Sequence, residues 1–195
     1  MDPSKLGTLL ESTLNPWLMV GIGYFLGALP FAVWIGQLAG QDPRKKGSKN
    51  PGTSNVTRLI GWKWGLTTLF FDLGKGLVVA LLGLSWGKEW AALCAFIAIL
   101  GHCTSPFLGF RGGRGVATTL GGLAVLHIGL MWICMFQWVV ILFFTRKAAW
   151  ASLLMAAILV IGSQASDVDD PTRFFCMGAM GLILIRHWDH MKGIL

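Results

Sequence analysis

Long apolar runs separated by short polar segments dominate the chain. A run of about twenty apolar residues is long enough to cross the hydrocarbon core of a bilayer as an α-helix. The alternating, turn-punctuated pattern of a membrane β-barrel is not visible, and a helix pairs its backbone N–H groups within its own segment. We therefore predict an all-α, polytopic transmembrane bundle. Its predicted spans are residues 17–40, 64–84, 89–107, 148–164 and 172–185, together with two halves of residues 116–145.

The apolar run over residues 116–145 is the one that decides the number of spans. At about thirty residues it is too long for one comfortable crossing, so we predict a turn near residues 126–129 and two shorter helices. His127 falls in this turn and is not expected to take part in catalysis. The total is then about seven spans, which places the two ends of the chain on opposite sides of the membrane.

Basic residues cluster in one set of connections. The 195-residue chain has 16 Lys and Arg against 9 Asp and Glu, a net charge of +7. Cytoplasmic loops of membrane proteins accumulate Lys and Arg, so we expect the N-terminus outside and the C-terminus in the cytoplasm, with no nucleic-acid partner. The predicted cytoplasmic set is Arg44, Lys45, Lys46, Lys49, Arg58, Lys63, Arg111, Arg114, Arg146, Lys147, Arg186 and Lys192.

Composition agrees with a single transmembrane domain over residues 1–195. Apolar residues make up 54% of the chain and charged residues only 13%, too few to cover a soluble domain of this size. The cysteines lie in or beside apolar runs without the spacing of metal ligands, so we predict buried free thiols and no metal. They are Cys94, Cys103, Cys134 and Cys176.

Two polar, glycine-rich loops are predicted on the cytoplasmic side. Residues 47–58 read GSKNPGTSNVTR, and residues 110–118 read FRGGRGVAT. Small hydroxyl and amide residues between glycines can close around an anion, and Arg58, expected at the start of the next helix, can grip a phosphate with two donors. In the second loop the glycines open directly into a helix, whose N-terminus favours phosphate. The Walker spacing is absent, so ATP hydrolysis is not predicted.

Other polar residues are predicted near the same face. Asp72 and Lys75 are three residues apart in the second span, so they share a helix face and can neutralise each other in part. The sequence leaves two roles open for Asp72 and Lys75: an ion pair that stabilises the bundle, and support for an active site. Candidates for a general base or a phosphate contact at the membrane edge are His102, His187 and His190. Ser152 is close enough to the predicted cytoplasmic end of its span to reach the same region, although a lone serine in a helix more often bonds to the helix backbone.

A series of motifs in this chain resembles a known family. The motifs are residues 24–31 (YFLGALPF), 47–55 (GSKNPGTSN) with Arg58, 72–76 (DLGKG), 101–102 (GH), 112–118 (GGRGVAT) and 186–187 (RH). They are similar to those of the bacterial, membrane-embedded glycerol-3-phosphate acyltransferases that use acyl phosphate. The usual lysine of the glycine-rich motif is Arg114 here, and the usual asparagine near the end is His190.

The resemblance implies a reaction and its site residues. An acyl chain would pass from acyl phosphate to the 1-hydroxyl of glycerol 3-phosphate, giving lysophosphatidic acid and phosphate in phospholipid biosynthesis, without a cofactor. We expect a monomer in the bacterial inner membrane, in contact with membrane lipid and with its site on the cytoplasmic side. The implied catalytic residues are Ser48, Arg58, Arg114 and His187. The implied substrate-binding residues are Asn50, Asn55, His102, Gly112, Gly113, Gly115, Ser152 and His190.

A transporter for a phosphorylated solute is the alternative from another class of protein. It would carry paired broken helices in two corresponding halves and a site at the middle of the membrane. The anion motifs lie on one predicted side only, and no internal repeat is visible. The pattern therefore favours the enzyme.

Overall fold

The computed structural model describes residues 15–165 and 167–188, and within these ranges the chain is helical without a strand. This confirms the predicted fold class. Within the described residues, nine α-helices and one 3-10 turn, Pro106–Leu108, follow one another. The helices are α1 (Pro16–Ala28), α2 (Phe31–Leu38), α3 (Thr53–Ile60), α4 (Trp62–Leu84), α5 (Lys88–Cys103), α6 (Val116–Leu126), α7 (Ile128–Thr145), α8 (Ala148–Ser163) and α9 (Asp170–Arg186).

Four segments among the described residues are long and apolar enough to cross a membrane: Pro16–Leu38, Trp62–Leu84, Lys88–Leu108 and Ile128–Thr145. The outer surface of the bundle agrees with a lipid environment, since Phe70, Phe136 and Ile161 are each more than 70% exposed. The other three predicted spans correspond to α6, α8 and α9, which are shorter, with 11, 16 and 17 residues. Seven crossings therefore stay a prediction.

The first predicted span is interrupted where the sequence analysis expected a continuous run. Helix α1 ends at Ala28, and α2 begins after Pro30, whose ring removes a backbone N–H and the helix hydrogen bond it would make. The carbonyl groups released by the break have partners elsewhere in the bundle. Ser105 Oγ donates to the Ala28 oxygen at 2.6 Å, and Lys75 Nζ donates to the Leu29 oxygen at 3.3 Å.

The turn that divides the long apolar run is present as predicted. Helix α6 ends at Leu126 and α7 begins at Ile128, with His127 between them in an extended conformation. The His127 Nδ1 atom accepts a hydrogen bond from the Leu130 N–H at 3.1 Å and so caps α7. The four cysteines are free and buried, which confirms that prediction as well.

Small residues allow the central helices to pack closely. Helix α4 packs against α5 and α6, while α1 packs against α5, and α9 lies beside α5 and α8. A Cβ atom at Gly76 would overlap the Thr118 carbonyl oxygen, and one at Gly121 would overlap the Leu73 carbonyl oxygen. Because apolar area alone does not drive helices together in lipid, close backbone approach between small residues is the expected source of packing energy.

The first glycine-rich loop contains a helix that the sequence analysis did not predict. Arg58, expected at the start of the following helix, lies in the last turn of α3 instead. This short helix buries Val56, and the Asn55 side chain fastens it to the preceding loop. The prediction was wrong here because the polar residues gave no apolar run, whereas tertiary contacts on one face stabilise the helix.

Candidate active site

A cavity of about 380 Å³ lies at one end of the bundle. It is bordered by α3 and the loop before it, the N-terminus of α6, the turn between α7 and α8, and the C-terminus of α9. Most of the predicted site residues contribute to its wall although they are far apart in the sequence. These are Ser48, Asn50, Asn55, Arg58, His102, Arg114, Gly115, Ser152 and His187.

The N-terminus of α6 presents a group of backbone N–H donors to the cavity. Gly115 caps this helix with φ +82°, a left-handed conformation that favours glycine, and the first helical bond of this turn runs from the Thr119 N–H to the Gly115 oxygen. The amide groups of residues 114–117 donate no hydrogen bond within residues 15–165 and 167–188. Free N–H groups at the positive end of a helix dipole favour an anion, so the geometry is compatible with the predicted anion site.

Arg114 adds a guanidinium beside these amides. The side chain is half-buried, and this burial lowers the pKa of Arg114 below its ordinary value, with repulsion from the nearby Arg186 charge acting in the same direction. A guanidinium nevertheless stays protonated near neutral pH. Arg114 has no carboxylate partner within residues 15–165 and 167–188, and a half-buried cation of this kind interacts more favourably with a phosphate than a fully solvated one does, because the charge is less screened by water.

The Asn55 side chain organises the first loop. Its Nδ2 donates to the Pro43 oxygen at 2.8 Å and to the Lys46 oxygen at 3.1 Å, and its Oδ1 accepts from the Ser48 N–H at 3.0 Å. The side chain is 2% exposed, so these three bonds define its orientation. Asn55 was predicted to bind substrate, but its contacts within the chain give it the additional task of placing Ser48 at the cavity.

His187 and Ser152 have defined hydrogen-bonding partners. His187 Nδ1 lies 2.8 Å from the Ile183 carbonyl oxygen, and because a carbonyl only accepts, this nitrogen carries the hydrogen. Ser152 donates to the Ala148 oxygen at 2.8 Å and accepts from Trp138 Nε1 at 3.1 Å, so its hydroxyl oxygen retains one lone pair.

His102 links the second loop to the buried ion pair. Its Nδ1 atom lies 3.7 Å from Asp72 Oδ1, and Asp72 itself lies 2.9 Å from Lys75 Nζ. Both ion-paired side chains are almost fully buried, as expected of residues predicted to share a helix face. The His102 ring packs against Gly113, where a Cβ atom would overlap Nε2.

The structure separates the predicted site residues into two groups. Gly112 and Gly113 are buried behind the cavity wall and contact the end of α5, where their N–H groups donate to Cys103 and His102 oxygens at 3.1 and 3.0 Å. They support the loop from behind, while Arg114 and Gly115 face the cavity. Lys75 also lies outside the wall, and the predicted His190 lies outside the described residues.

Two basic residues of the cavity were not predicted as part of the site. Arg146 and Lys147, in the turn between α7 and α8, contribute to the wall together with Trp138. The sequence analysis identified them only as a basic turn on the cytoplasmic side. The signal for their position was the predicted turn near residues 126–129, because two short helices return the chain to the side from which it started.

Comparison with known proteins agrees with this geometry. A family model described as "Glycerol-3-phosphate acyltransferase" matches residues 17–195. The chain belongs to the glycerol-3-phosphate acyltransferase family. It is an integral membrane enzyme, an acyltransferase, and its membership favours the enzyme over the transporter alternative.

Individual relatives extend over nearly the whole chain. Glycerol-3-phosphate acyltransferase 1 of Deinococcus radiodurans is 40% identical over 184 residues, which cover 93% of this chain and 91% of the relative. The glycerol-3-phosphate acyltransferase of Pseudomonas syringae pv. tomato is 34% identical over 186 residues, with 92% and 94% covered.

Crystal structures of one related protein share the fold. They are those of PlsY (YgiH), an integral membrane glycerol 3-phosphate acyltransferase, in a glycerol 3-phosphate form and a lysophosphatidic acid form. The first has a TM-score of 0.86 at 29% identity and the second 0.85 at 28%, each covering 92% of this chain and 91% of its own.

Gly113 provides a test of the loop that carries Arg114. We expect the Gly113→Ala variant to lose at least about tenfold in acyltransferase activity, because the added methyl group would displace the His102 ring and shift the loop. Gly74→Ala is the matched control, since a Cβ atom there meets no neighbour within 4 Å. Initial rates of the two purified variants would check this, and equal rates would contradict it.

Proposed function

We propose that the protein transfers an acyl chain from acyl phosphate to the 1-hydroxyl of glycerol 3-phosphate, releasing lysophosphatidic acid and inorganic phosphate. The observation that carries the proposal is one cavity with two anion-binding elements and an apolar wall. The cations in its wall are Arg58, Arg114, Arg146 and Lys147. Its carboxylate, Asp72, is already paired with Lys75. Such a lining suits two substrates that each bear a phosphate.

We assign the phosphate of glycerol 3-phosphate to the N-terminus of α6. The free amides of residues 114–117 and the Arg114 guanidinium supply charge-assisted donors there. Ser152 and His187 border the same cavity and complete the contacts to the glycerol backbone. This arrangement leaves the 1-hydroxyl directed away from the bound phosphate and toward the donor.

The acyl phosphate is assigned to the opposite side of the cavity. Ser48 and Arg58 would bind its phosphate, with Asn50 beside them, and Arg146 and Lys147 add positive charge at the turn. The acyl chain would lie along the apolar part of the wall, which continues to the lipid-exposed surface at Val139. The apolar wall is formed by Leu69, Val116, Leu120, Met135, Trp138 and Val139.

The chemistry requires positioning and charge stabilisation more than a covalent intermediate. The 1-hydroxyl oxygen attacks the acyl carbonyl carbon, the bond to the phosphate oxygen breaks, and phosphate leaves with the bonding electrons. We assign the hydroxyl proton to a phosphate oxygen of the bound substrates or to His187 or His102, which both border the cavity. Arg58 and Arg114 stabilise the negative charge that develops on the carbonyl and phosphate oxygens.

Phosphate release from palmitoyl phosphate tests the proposal. The purified protein in detergent should release phosphate and form lysophosphatidic acid only when glycerol 3-phosphate is also present. Palmitoyl coenzyme A and palmitoyl acyl-carrier protein, offered separately, should give no product without acyl phosphate. Turnover with a thioester donor alone would contradict the assigned donor, and solute flux in liposomes without turnover would contradict the enzyme.

Arg58 and Ser48 test the first loop. We expect Arg58→Ala to reduce activity at least about 100-fold and Ser48→Ala at least about tenfold, because each variant loses a hydrogen bond to the phosphate of acyl phosphate. Thermal unfolding should stay close to wild type, since both side chains are exposed. Lys45→Ala is the control, an exposed cation shortly before the first loop that lies outside the cavity wall. Near wild-type rates for Arg58→Ala would count against the assigned loop.

We also propose a bacterial inner-membrane location with the cavity open to the cytoplasm. The basic turn at Arg146 and Lys147 borders the same cavity as Arg58 and Arg114, so the basic connections predicted on one side converge in space. The N-terminus would then lie outside and the C-terminus inside, with the monomer as the functional unit. Cysteine labelling at Lys45 and Lys88, near opposite ends of the bundle, would test the orientation.

A further inference from the structure

We infer that Arg186 is a positioning residue that holds the glycerol 3-phosphate loop in its anion-binding conformation, an inference that rests on the function proposed above. Arg186 ends α9, and its guanidinium donates to two successive loop carbonyls. Nη2 donates to the Gly112 oxygen at 2.8 Å, and Nε donates to the Gly113 oxygen at 3.1 Å. Because the guanidinium is planar and its donors form a rigid fork, the two contacts orient two peptide groups together.

The orientation of these two peptides matters because each peptide carries an N–H group on the side opposite the carbonyl that Arg186 holds. In a trans peptide the N–H points away from the carbonyl. The peptide joining Gly112 to Gly113 directs its N–H to the His102 oxygen at 3.0 Å, so it is held from both sides. In the next peptide, the Gly113 carbonyl is held by Arg186, and the N–H of Arg114 donates to no atom of the described chain. Arg186 therefore directs the first free amide of the anion site.

The loop cannot obtain this rigidity from its own residues. Two consecutive glycines have the largest backbone freedom of any pair, and ordering them costs conformational entropy. Neither can be replaced by a stiffer residue, because a Cβ atom at Gly112 would overlap the His102 carbonyl oxygen and one at Gly113 would overlap the His102 ring. The restraint has to come from other elements: the end of α5 accepts from the N–H groups of the two glycines, and Arg186 of α9 holds their carbonyls.

Arg186 acts from behind the cavity and not within it. Its side chain is absent from the residues that form the described cavity wall, whereas the adjacent His187 belongs to that wall. The end of α9 therefore carries one residue that faces the cavity and one that fastens the phosphate loop. Because Arg186 acts through the loop and does not contact the substrate, its replacement should change the affinity for glycerol 3-phosphate and have little effect on the affinity for acyl phosphate.

Titration calorimetry and steady-state kinetics of Arg186→Met test the inference. Loss of two charge-assisted bonds should raise the Kd for glycerol 3-phosphate and for inorganic phosphate by about 10- to 100-fold. The KM for glycerol 3-phosphate should rise in parallel, while the KM for palmitoyl phosphate and kcat should change by less than about threefold. Arg186→Lys should show an intermediate Kd, because an ammonium group lacks the fork that reaches both carbonyls.

Arg173 offers a matched control at the other end of the same helix. It also holds two carbonyls, with Nε donating to the Ser163 oxygen at 3.1 Å and Nη2 to the Ala165 oxygen at 3.4 Å. Arg173→Met should lower thermal stability as Arg186→Met does, but leave both Kd values unchanged.

Equal effects of the two methionine variants on phosphate affinity would overturn the inference, as would an unchanged Kd in Arg186→Met. If Arg186→Met does not fold, a wild-type Kd in Arg186→Lys overturns it and a raised Kd supports it. If wild-type protein binds glycerol 3-phosphate without transferring an acyl group, the proposed function fails, and the binding comparison still decides the role of Arg186.

Discussion

Replacement of Arg114 by methionine is expected to lower kcat/KM for glycerol 3-phosphate by about 1,000-fold. Methionine keeps most of the length and apolar volume of the side chain but removes the charge that faces the developing negative charge in the cavity. The free amides of residues 114–117 would remain and retain weak binding. The loss should therefore appear both as a higher KM for glycerol 3-phosphate, whose phosphate Arg114 is assigned to bind, and as a lower kcat, because Arg114 is also assigned to charge that develops in the transition state.

Two further variants make the Arg114 result specific. Arg114→Lys should stay within about tenfold of wild type, because the ammonium keeps the charge and loses only the two-donor geometry. Arg111→Met is the matched control, an exposed arginine of the same loop that lies outside the cavity wall. A loss in Arg111→Met equal to that in Arg114→Met would show that loop charge in general, and not Arg114, is responsible.

Replacement of Asp72 by alanine is expected to destabilise the fold by about 3–5 kcal/mol. The change leaves Lys75 charged in the interior, where its side chain is 4% exposed and its remaining partners among the described residues are the Leu29 carbonyl and the face of the Phe31 ring. Within a membrane-embedded bundle an unpaired ammonium group is especially costly, because a buried charge is poorly solvated there. Thermal unfolding in detergent should show a large decrease, accompanied by poor recovery of folded protein.

The double variant Asp72→Leu with Lys75→Met separates charge from packing. Removing both charges should restore most of the stability, since two apolar side chains of similar volume avoid the desolvation cost of the pair. The exposed pair Asp170–Arg173 on α9 has the same spacing of three residues, so Asp170→Ala is the control and should cost less than about 1 kcal/mol. A double variant no more stable than Asp72→Ala would contradict the argument.

The apolar runs alone predicted much of the fold because a membrane-spanning helix depends mainly on local hydrophobicity and length. The short break before Lys88 and the turn at His127 were both predicted, and both occur. The interruption between α1 and α2 was not. A proline in an apolar run weakens a helix, but the break is stable only because Ser105 and Lys75 from other helices bind the released carbonyls.

The candidate active site, like the fold, was predicted only in part from the sequence. The second loop combines glycines with a following helix, and this local arrangement is sufficient to predict free amides beside Arg114. The first loop was predicted less well, because α3 depends on the buried contacts of Asn55 and Val56. Trp138 was not predicted as a site residue, since its contact with Ser152 joins two helices and has no signature in either segment.

The sequence by itself determined the membrane environment, the helical class and the two glycine-rich loops. These follow from local properties, namely the length of apolar runs, the placement of basic residues and the conformational freedom of glycine. The tertiary structure alone decided that both loops share a cavity with Arg146 and Lys147, and that Arg186 fastens the second loop. Such contacts depend on how separate helices cross, and that geometry comes from many packing interactions between residues distant in the chain.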